Sequence, residues 1–99
     1  RIDSIDYQLI GLLASRMRIS GEMGEYKCRS GVTVFQLDRW LEILESRTQQ
    51  GVSEGLDIEF VGRVIRMIHE ESIRCQDVVM KKLHDAGGCP PAGSDGENE

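Results

Sequence analysis

The sequence is poor in the features that mark several protein classes. It has 12 lysines and arginines against 17 acidic residues, a formal net charge of -5, which disfavours nucleic acid and anionic membrane surfaces as partners. No apolar run approaches the roughly 18 residues of a membrane span, and no signal-peptide segment opens the chain. The three cysteines are odd in number and lack the spacing of metal ligands. Reduced thiols in a cytoplasmic protein are therefore expected.

Proline is also scarce, and both prolines lie near the C-terminus in 86-AGGCPPAGSDGENE-99. This stretch has almost nothing to bury, so we predict a disordered acidic tail over residues 86–99. Residues 1–85 contain no convincing pair of strands, and their helix breakers cluster around Gly31 and from Gly51 to Gly55. The pattern predicts a single all-α domain over residues 1–85, built from three helices.

The first predicted helix runs from Ile2 to about Cys28 and is unusually long. It measures about 40 Å, whereas a globule of this size has a radius of gyration of about 13 Å. Its apolar residues follow one another at alternating steps of three and four, as in the seam of a coiled coil. Such a helix needs a long partner, either the third helix or a second copy of the chain, and we expect a two-fold homodimer. The seam consists of Ile2, Ile5, Leu9, Leu12, Ile19, Met23 and Tyr26.

The other two predicted helices have recognisable residues at one end. The second is predicted from about Gln36 to Gln50, with Gly51 as its C-terminal stop. The third is predicted from about residue 58 to residue 83, with Asp57 as its N-cap.

Polar residues interrupt the apolar faces at two places. Arg16 occupies the centre of the first seam, and Lys27 follows 11 residues later on nearly the same side of the helix. Ser72 interrupts the third helix, with Gln76 one turn above it. One interpretation pairs Arg16 with a buried carboxylate and bonds Ser72 and Gln76 to the backbone or to each other. The other interpretation makes these four side chains the lining of a pocket for an anion.

The third helix also begins a metal motif without completing it. His69 and Glu70 match the start of the H-E-x-x-H helix of zinc proteases, but Ile73 stands where the second histidine belongs. His69 is therefore interpreted as a packed or surface histidine. No histidine accompanies Ser72 in the pattern, so a nucleophile with its base is poorly supported. We predict neither a metal site nor a cofactor.

Taken in order, these motifs resemble those of the all-helical chorismate mutases. The first helix of that family has the pattern Ile-Asp-x-Ile-Asp, Leu-Leu-x-x-Arg and Gly-x-x-Lys, and 2-IDSIDYQLIGLLASRMRISGEMGEYK-27 contains each motif in turn. The stretch 36-QLDR-39 is similar to the start of the family's second helix, and 55-GLDIEFV-61 to the start of its third. The stretch 69-HEESIRCQ-76 carries the family's Ser-x-x-x-Gln. The resemblance covers nearly the whole chain before the tail.

The resemblance implies an intertwined homodimer and an isomerase, which converts chorismate to prephenate by a Claisen rearrangement in aromatic amino acid biosynthesis. This pericyclic reaction needs no metal, nucleophile or general base. Its dianionic substrate needs cations and tight positioning, and its ether oxygen needs hydrogen-bond donors as charge develops there. By resemblance, Arg16 and Ser72 hold carboxylates, and Arg39 occupies a substrate-binding position. Lys27 and Gln76 donate to the ether oxygen, and Lys27 also contacts a carboxylate, so the catalytic candidates are Arg16, Lys27 and Gln76.

Two positions of the second helix depart from the family. Trp40 stands where the family commonly has a Glu that bonds the substrate hydroxyl, and Gln36 stands where it often has Asp. Gln36 is a candidate for the hydroxyl contact. Two alternative functions stay open, an isochorismate pyruvate-lyase of the same fold and a non-catalytic dimerisation or regulatory module. Trp40 favours the second alternative, and the retained polar residues oppose it.

The N-terminus also departs from the family. In the family, the first helix usually carries an Arg three residues before the position of Ile2. That Arg reaches into the partner's site. That position falls before Arg1, and Arg1 lies on nearly the opposite face, at a rotation of about 200°. We therefore expect a longer polypeptide. Because some bacteria fuse such a domain behind DAHP synthase, that enzyme is a candidate fused N-terminal partner.

Overall fold

The computed structural model describes residues 1–88 as three α-helices. They are α1 (Ile2–Ser30), α2 (Leu37–Ser53) and α3 (Ile58–Asp85), and no strand forms within the described range. The predicted all-α chain with a long first helix is confirmed. Helix α3 packs against both α1 and α2. None of the described helices is long and apolar enough to cross a membrane. The predicted tail lies outside the described residues from position 89 onward.

The caps of α1 and α3 follow from their sequences. Asp57 is the predicted N-cap of α3, and its carboxylate accepts a hydrogen bond from the backbone N–H of Phe60 at 3.0 Å. Gly31 ends α1 in the left-handed region, with φ of 74°, which a residue without a Cβ adopts readily. The next residue, Val32, donates its backbone N–H to the carbonyl of Lys27 at 3.0 Å. The chain thereby turns back toward α2 directly beside Lys27.

The prediction that α2 stops at Gly51 is wrong. The helix continues to Ser53, and Gly51 is buried inside it. A Cβ on Gly51 would lie 2.6 Å from a methyl carbon of Val61 on α3. Gly51 therefore allows α2 and α3 to approach closely, and this long-range role is not visible in a local pattern of helix breakers.

Small residues, and not the predicted seam, form the face of α1 that packs against α3. The buried residues of α1 are Ser20, Gly24 and Cys28, which follow one another at steps of four. A Cβ on Gly24 would lie 2.8 Å from both the Cα and the backbone oxygen of Gln76. The absence of a side chain at Gly24 therefore seats Gln76 directly against α1.

The apolar seam of α1 is consequently left uncovered by the chain's own helices. Every residue from 1 to 12 is exposed, including Ile2 and Leu12 at 71% and 69% of their full surface. Of the two partners expected for the seam, α3 does not cover it.

The expected redox state of the cysteines is only partly correct. Cys75 carries a free thiol, as predicted, whereas Cys28 is disulfide-bonded, which contradicts the prediction. Cys89 lies outside the described residues. An odd number of cysteines therefore does not by itself establish that each one is reduced.

Candidate active site

The six polar residues selected from the sequence meet in one pocket of about 220 Å³ among the three helices. Helix α1 contributes two of them, the start of α2 two more, and α3 the remaining pair. The fold brings them together because α3 lies against both other helices. They are Arg16, Lys27, Gln36, Arg39, Ser72 and Gln76.

The charge of this pocket is opposite to that of the chain. Four cations line it, and the lining contains no Asp or Glu, although the whole chain has a formal net charge of -5. Three of the cations are the predicted Arg16, Lys27 and Arg39, and the fourth, Arg47 on α2, was not selected from the sequence. Arg47 follows Arg39 by two turns, so helical spacing places both on one face.

The two pocket cations of α1 have no carboxylate partner among the described residues. Within residues 1–88, neither Arg16 nor Lys27 forms an ion pair, whereas Arg39 pairs with the exposed Glu42 outside the pocket. Burial lowers the pKa of Arg16, and the nearby Arg47 lowers it further. Burial also lowers the pKa of Lys27. No carboxylate of residues 1–88 therefore makes the pair with Arg16 that one interpretation expected, whereas the bond between Ser72 and Gln76 that the same interpretation expected is present.

A chain of buried hydrogen bonds joins α1 to α3 at the floor of the pocket. The side-chain amide of Gln76 donates through Nε2 to Ser72 Oγ at 3.3 Å. Ser72 Oγ lies 2.5 Å from Ser20 Oγ, and all three side chains are buried. Gln76 Nε2 has a second hydrogen, which is left for a ligand. Ser20 was not selected from the sequence, although it lies one turn after Arg16 on the same face of α1.

The ammonium group of Lys27 is held at the rim where the chain turns back. Its Nζ donates to the backbone carbonyl of Val34 at 3.0 Å. An ammonium group has three donors, so two remain after this bond. The loop that begins at Gly31 thus orients Lys27 without neutralising it.

Aromatic side chains form one wall. The indole of Trp40 stacks on His69, with ring centroids 4.0 Å apart and an angle of 19° between the planes. Phe35 approaches the same imidazole edge-on, at 6.0 Å and 65°. Trp40 is thus part of the pocket wall, and His69 lines the pocket as well. No cluster of three potential metal ligands occurs within residues 1–88.

His69 is surrounded by positive charge. Burial lowers its pKa most, Arg16 and Lys27 lower it further, and Glu70 partly opposes them. The imidazole is therefore held in its neutral form, in which one nitrogen donates and the other accepts.

Comparison with known proteins identifies the family of the chain. Residues 1–77 match the family described as chorismate mutase type II. The chain belongs to this family. The match includes α1, α2 and the part of α3 that carries Ser72 and Gln76, so it spans all three walls of the pocket.

Several relatives match most of this chain within a longer protein. The T-protein of Enterobacter agglomerans is 33% identical over 72 residues, which cover 73% of this chain and 19% of the relative. The bifunctional chorismate mutase/prephenate dehydratase of Escherichia coli K12 is 29% identical over 82 residues, which cover 83% of this chain and 21% of the relative. The T-protein of Haemophilus influenzae is 28% identical over 71 residues, covering 72% and 19%. The chain spans about a fifth of the length of these relatives.

The structure also describes the position of Gln36, where the chain departs from the usual chorismate mutase pattern. Gln36 is the N-cap residue of α2, but its side chain makes no capping hydrogen bond. It lines the pocket beside Arg39 and Trp40. Its amide is therefore available to a ligand.

Proposed function

We propose that this chain catalyses the rearrangement of chorismate to prephenate. The supporting observation is the half-buried pocket that holds four cations and no carboxylate. Buried charge is costly unless it is paired, and a dianionic substrate supplies the negative charge that the lining lacks. Family membership supports the same reaction.

The residues of the pocket divide into two roles in this proposal. Arg16, Arg39 and Ser72 bind carboxylate oxygens, where charge-assisted hydrogen bonds are strongest. Lys27 and Gln76 direct their remaining donors at the ether oxygen, which gains negative charge as its carbon–oxygen bond breaks. Because these donors are already oriented, by Val34 for Lys27 and by Ser72 for Gln76, little reorganisation is needed during the reaction.

Positioning supplies the rest of the catalysis. The substrate must adopt a compact chair so that the atoms that form the new bond meet. The Ser20–Ser72–Gln76 hydrogen bonds fix the floor, and the Trp40–His69 stack fixes one wall. No side chain has to transfer a proton or form a covalent bond in this reaction.

A homodimer with an intertwined α1 is also part of the proposal. The exposed apolar seam in the N-terminal half of α1 supports it, because a second copy of the chain presents a complementary long helix. Sedimentation of the purified chain tests the dimer. A cytoplasmic location and a fused N-terminal DAHP synthase are further proposals, based on the sequence and the family resemblance, and the location and mass of the native polypeptide test them.

The decisive experiment supplies chorismate to the purified chain and follows its loss by absorbance. Prephenate is the expected product. A parallel assay with isochorismate separates the mutase from the lyase, because release of pyruvate from isochorismate without prephenate from chorismate would favour the lyase. Absence of turnover with either substrate, in a chain that is helical by circular dichroism, would favour the non-catalytic module.

A further inference from the structure

Two buried side-chain atoms in residues 1–88 lack a hydrogen-bond partner, and both belong to pocket residues. They are Oε1 of Gln76 and Nε2 of His69. Buried polar atoms in proteins are nearly always bonded, because an unpaired one destabilises the fold. Their concentration in a single pocket indicates that a ligand completes their hydrogen bonding. The proposed function uses Nε2 of Gln76 but not its Oε1, and it gives His69 no role.

The surroundings of His69 orient its ring. Trp40 stacks on one face at 4.0 Å, and the ring of Phe35 approaches edge-on at 6.0 Å. These contacts restrict rotation of the imidazole, so Nε2 keeps a defined direction. An unpaired atom that is held in place by two aromatic neighbours is a better binding group than one on a mobile side chain.

Trp40 changes the chemistry of the wall in two ways. It stands where a family Glu commonly bonds the substrate hydroxyl, and its indole has only one donor and no acceptor. At the same time it supports the ring of His69. The residue that removes one polar contact therefore positions a replacement.

The charge of the pocket decides which substrate group His69 faces. Four cations are present for the two carboxylates, and the ether oxygen has Lys27 and Gln76. The remaining polar group of chorismate is its ring hydroxyl. A hydroxyl can donate to the unprotonated nitrogen of a neutral imidazole or accept from the protonated one, so either tautomer of His69 can bind it.

We propose that His69 is a substrate-binding residue whose Nε2 hydrogen-bonds the ring hydroxyl of chorismate. This inference depends on the proposed function and adds to it the residue that recognises the hydroxyl. Gln36, which lines the same pocket, is the competing candidate for that contact.

Two substitutions at position 69 separate hydrogen bonding from packing. His69→Phe keeps an aromatic ring against Trp40 but has no nitrogen, whereas His69→Gln loses the stack and places an amide near the position of Nε2. If Nε2 binds substrate, His69→Phe lowers kcat/KM about tenfold and His69→Gln restores part of the loss. If His69 only packs, His69→Phe is the better-tolerated variant. His84→Phe, at the exposed end of α3, is the matched control and leaves kcat/KM unchanged.

A substrate that lacks the hydroxyl identifies the group that His69 contacts. With chorismate in which hydrogen replaces the hydroxyl, the parent and His69→Phe are expected to have equal kcat/KM. A tenfold deficit of His69→Phe on both substrates would overturn the inference, as would a hydroxyl-dependent loss in Gln36→Ala but not in His69→Phe. Failure of the parent to convert chorismate would instead overturn the proposed function, so the two failures are distinguishable.

Discussion

The two halves of α1 have opposite relations to the rest of the chain. Residues 1–12 are all exposed and carry most of the predicted apolar seam, including Ile5 and Leu9. The C-terminal half contacts α3 through Ser20 and Gly24 and supplies two pocket cations. The more apolar half is the more exposed, which is contrary to the usual partition of apolar surface.

This contrast shows how one helix can serve two purposes. The C-terminal half uses small and polar residues, because a tight helix contact and a cationic pocket require them. The N-terminal half keeps its apolar residues for a surface that the single chain does not provide. The proposed dimer explains the first half, and the proposed mutase site explains the second.

The largest expected effect lies in the C-terminal half of α1. Lys27→Ala should lower chorismate turnover about 10²–10³-fold, because it removes one preorganised donor from the ether oxygen. Turnover and circular dichroism of the same preparation test this, and Lys81→Ala, at an exposed position of α3, is the matched control. Near-normal turnover by a folded Lys27→Ala protein would contradict the assignment.

The next largest effect is expected at Gln76, the α3 residue that packs against Gly24 in the C-terminal half of α1. Gln76→Glu should make activity depend on acid, because a neutral carboxylic acid still donates to the ether oxygen, whereas a carboxylate repels the dianion. Activity of the variant should fall with rising pH, by up to about tenfold per pH unit above the pKa of the new group. Gln50→Glu, exposed on α2, adds the same charge as a control. Parallel pH–rate profiles for Gln76→Glu and the parent would show that Gln76 does not face the oxygen.

Two glycines of α1 test how closely its C-terminal half must approach α3. Gly24→Ala should destabilise the fold by about 1–3 kcal/mol, because the new Cβ meets the backbone of Gln76 at 2.8 Å. Gly21→Ala, whose Cβ would touch only a methyl carbon of Val79 at 3.4 Å, should instead stabilise it by up to about 1 kcal/mol. Urea unfolding of both variants measures the difference, and equal stabilities would mean that the helices separate freely.

The N-terminal half is tested by association. Leu9→Ala should raise the dimer dissociation constant about tenfold or more, because part of a buried leucine is lost from the proposed interface. Sedimentation over a range of concentrations measures this, with Gln8→Ala, beside the seam, as control. An unchanged association constant, or a parent that is monomeric throughout, would leave the exposed seam without its proposed partner.

The smallest expected effect is a change in the pKa of His69, on which both pocket cations of α1 act. The pKa of His69 is lowered from its usual 6.5 by burial, Arg16 and Lys27. As the pH falls, His69 therefore takes up a proton in the unfolded chain before it does so in the folded chain. The free energy of unfolding that depends on neutral His69 is complete above about pH 6.5 and is lost as the pH falls toward the lower pKa of the folded state. Nuclear magnetic resonance titration of the ring should show a higher pKa in Lys27→Met than in the parent. An unchanged pKa would mean that Lys27 does not act on His69.

Acid unfolding independently tests the direction in which His69 makes stability depend on pH. The parent should lose more stability than His69→Phe between about pH 7.5 and about pH 5.5, because the variant has no group to protonate at that position. An equal loss in both proteins would assign the pH dependence to other groups.

Much of the fold could be predicted because the relevant signals are local. Asp57 caps α3 through a bond to a residue three positions away, and Gly31 ends α1 by its own backbone freedom. The polar interruptions at Arg16 and Ser72 were detectable because each breaks a regular apolar pattern. Ser20 was missed and Gly51 was wrongly assigned as a helix stop, since a small residue inside a helix gives no periodic signal and its importance depends on the helix opposite.

The sequence alone determined the three helices, the caps at Asp57 and Gly31 and six of the polar residues of the pocket, because helical periodicity and capping depend on neighbours within about one turn. Only the tertiary structure decided which face of α1 meets α3, which cations lack a carboxylate, and which ring supports His69. Those features depend on distances between residues far apart in the chain. The stack of Trp40 on His69 is the clearest case: the local context of neither residue indicates the other, and their relation exists only because α2 and α3 pack side by side.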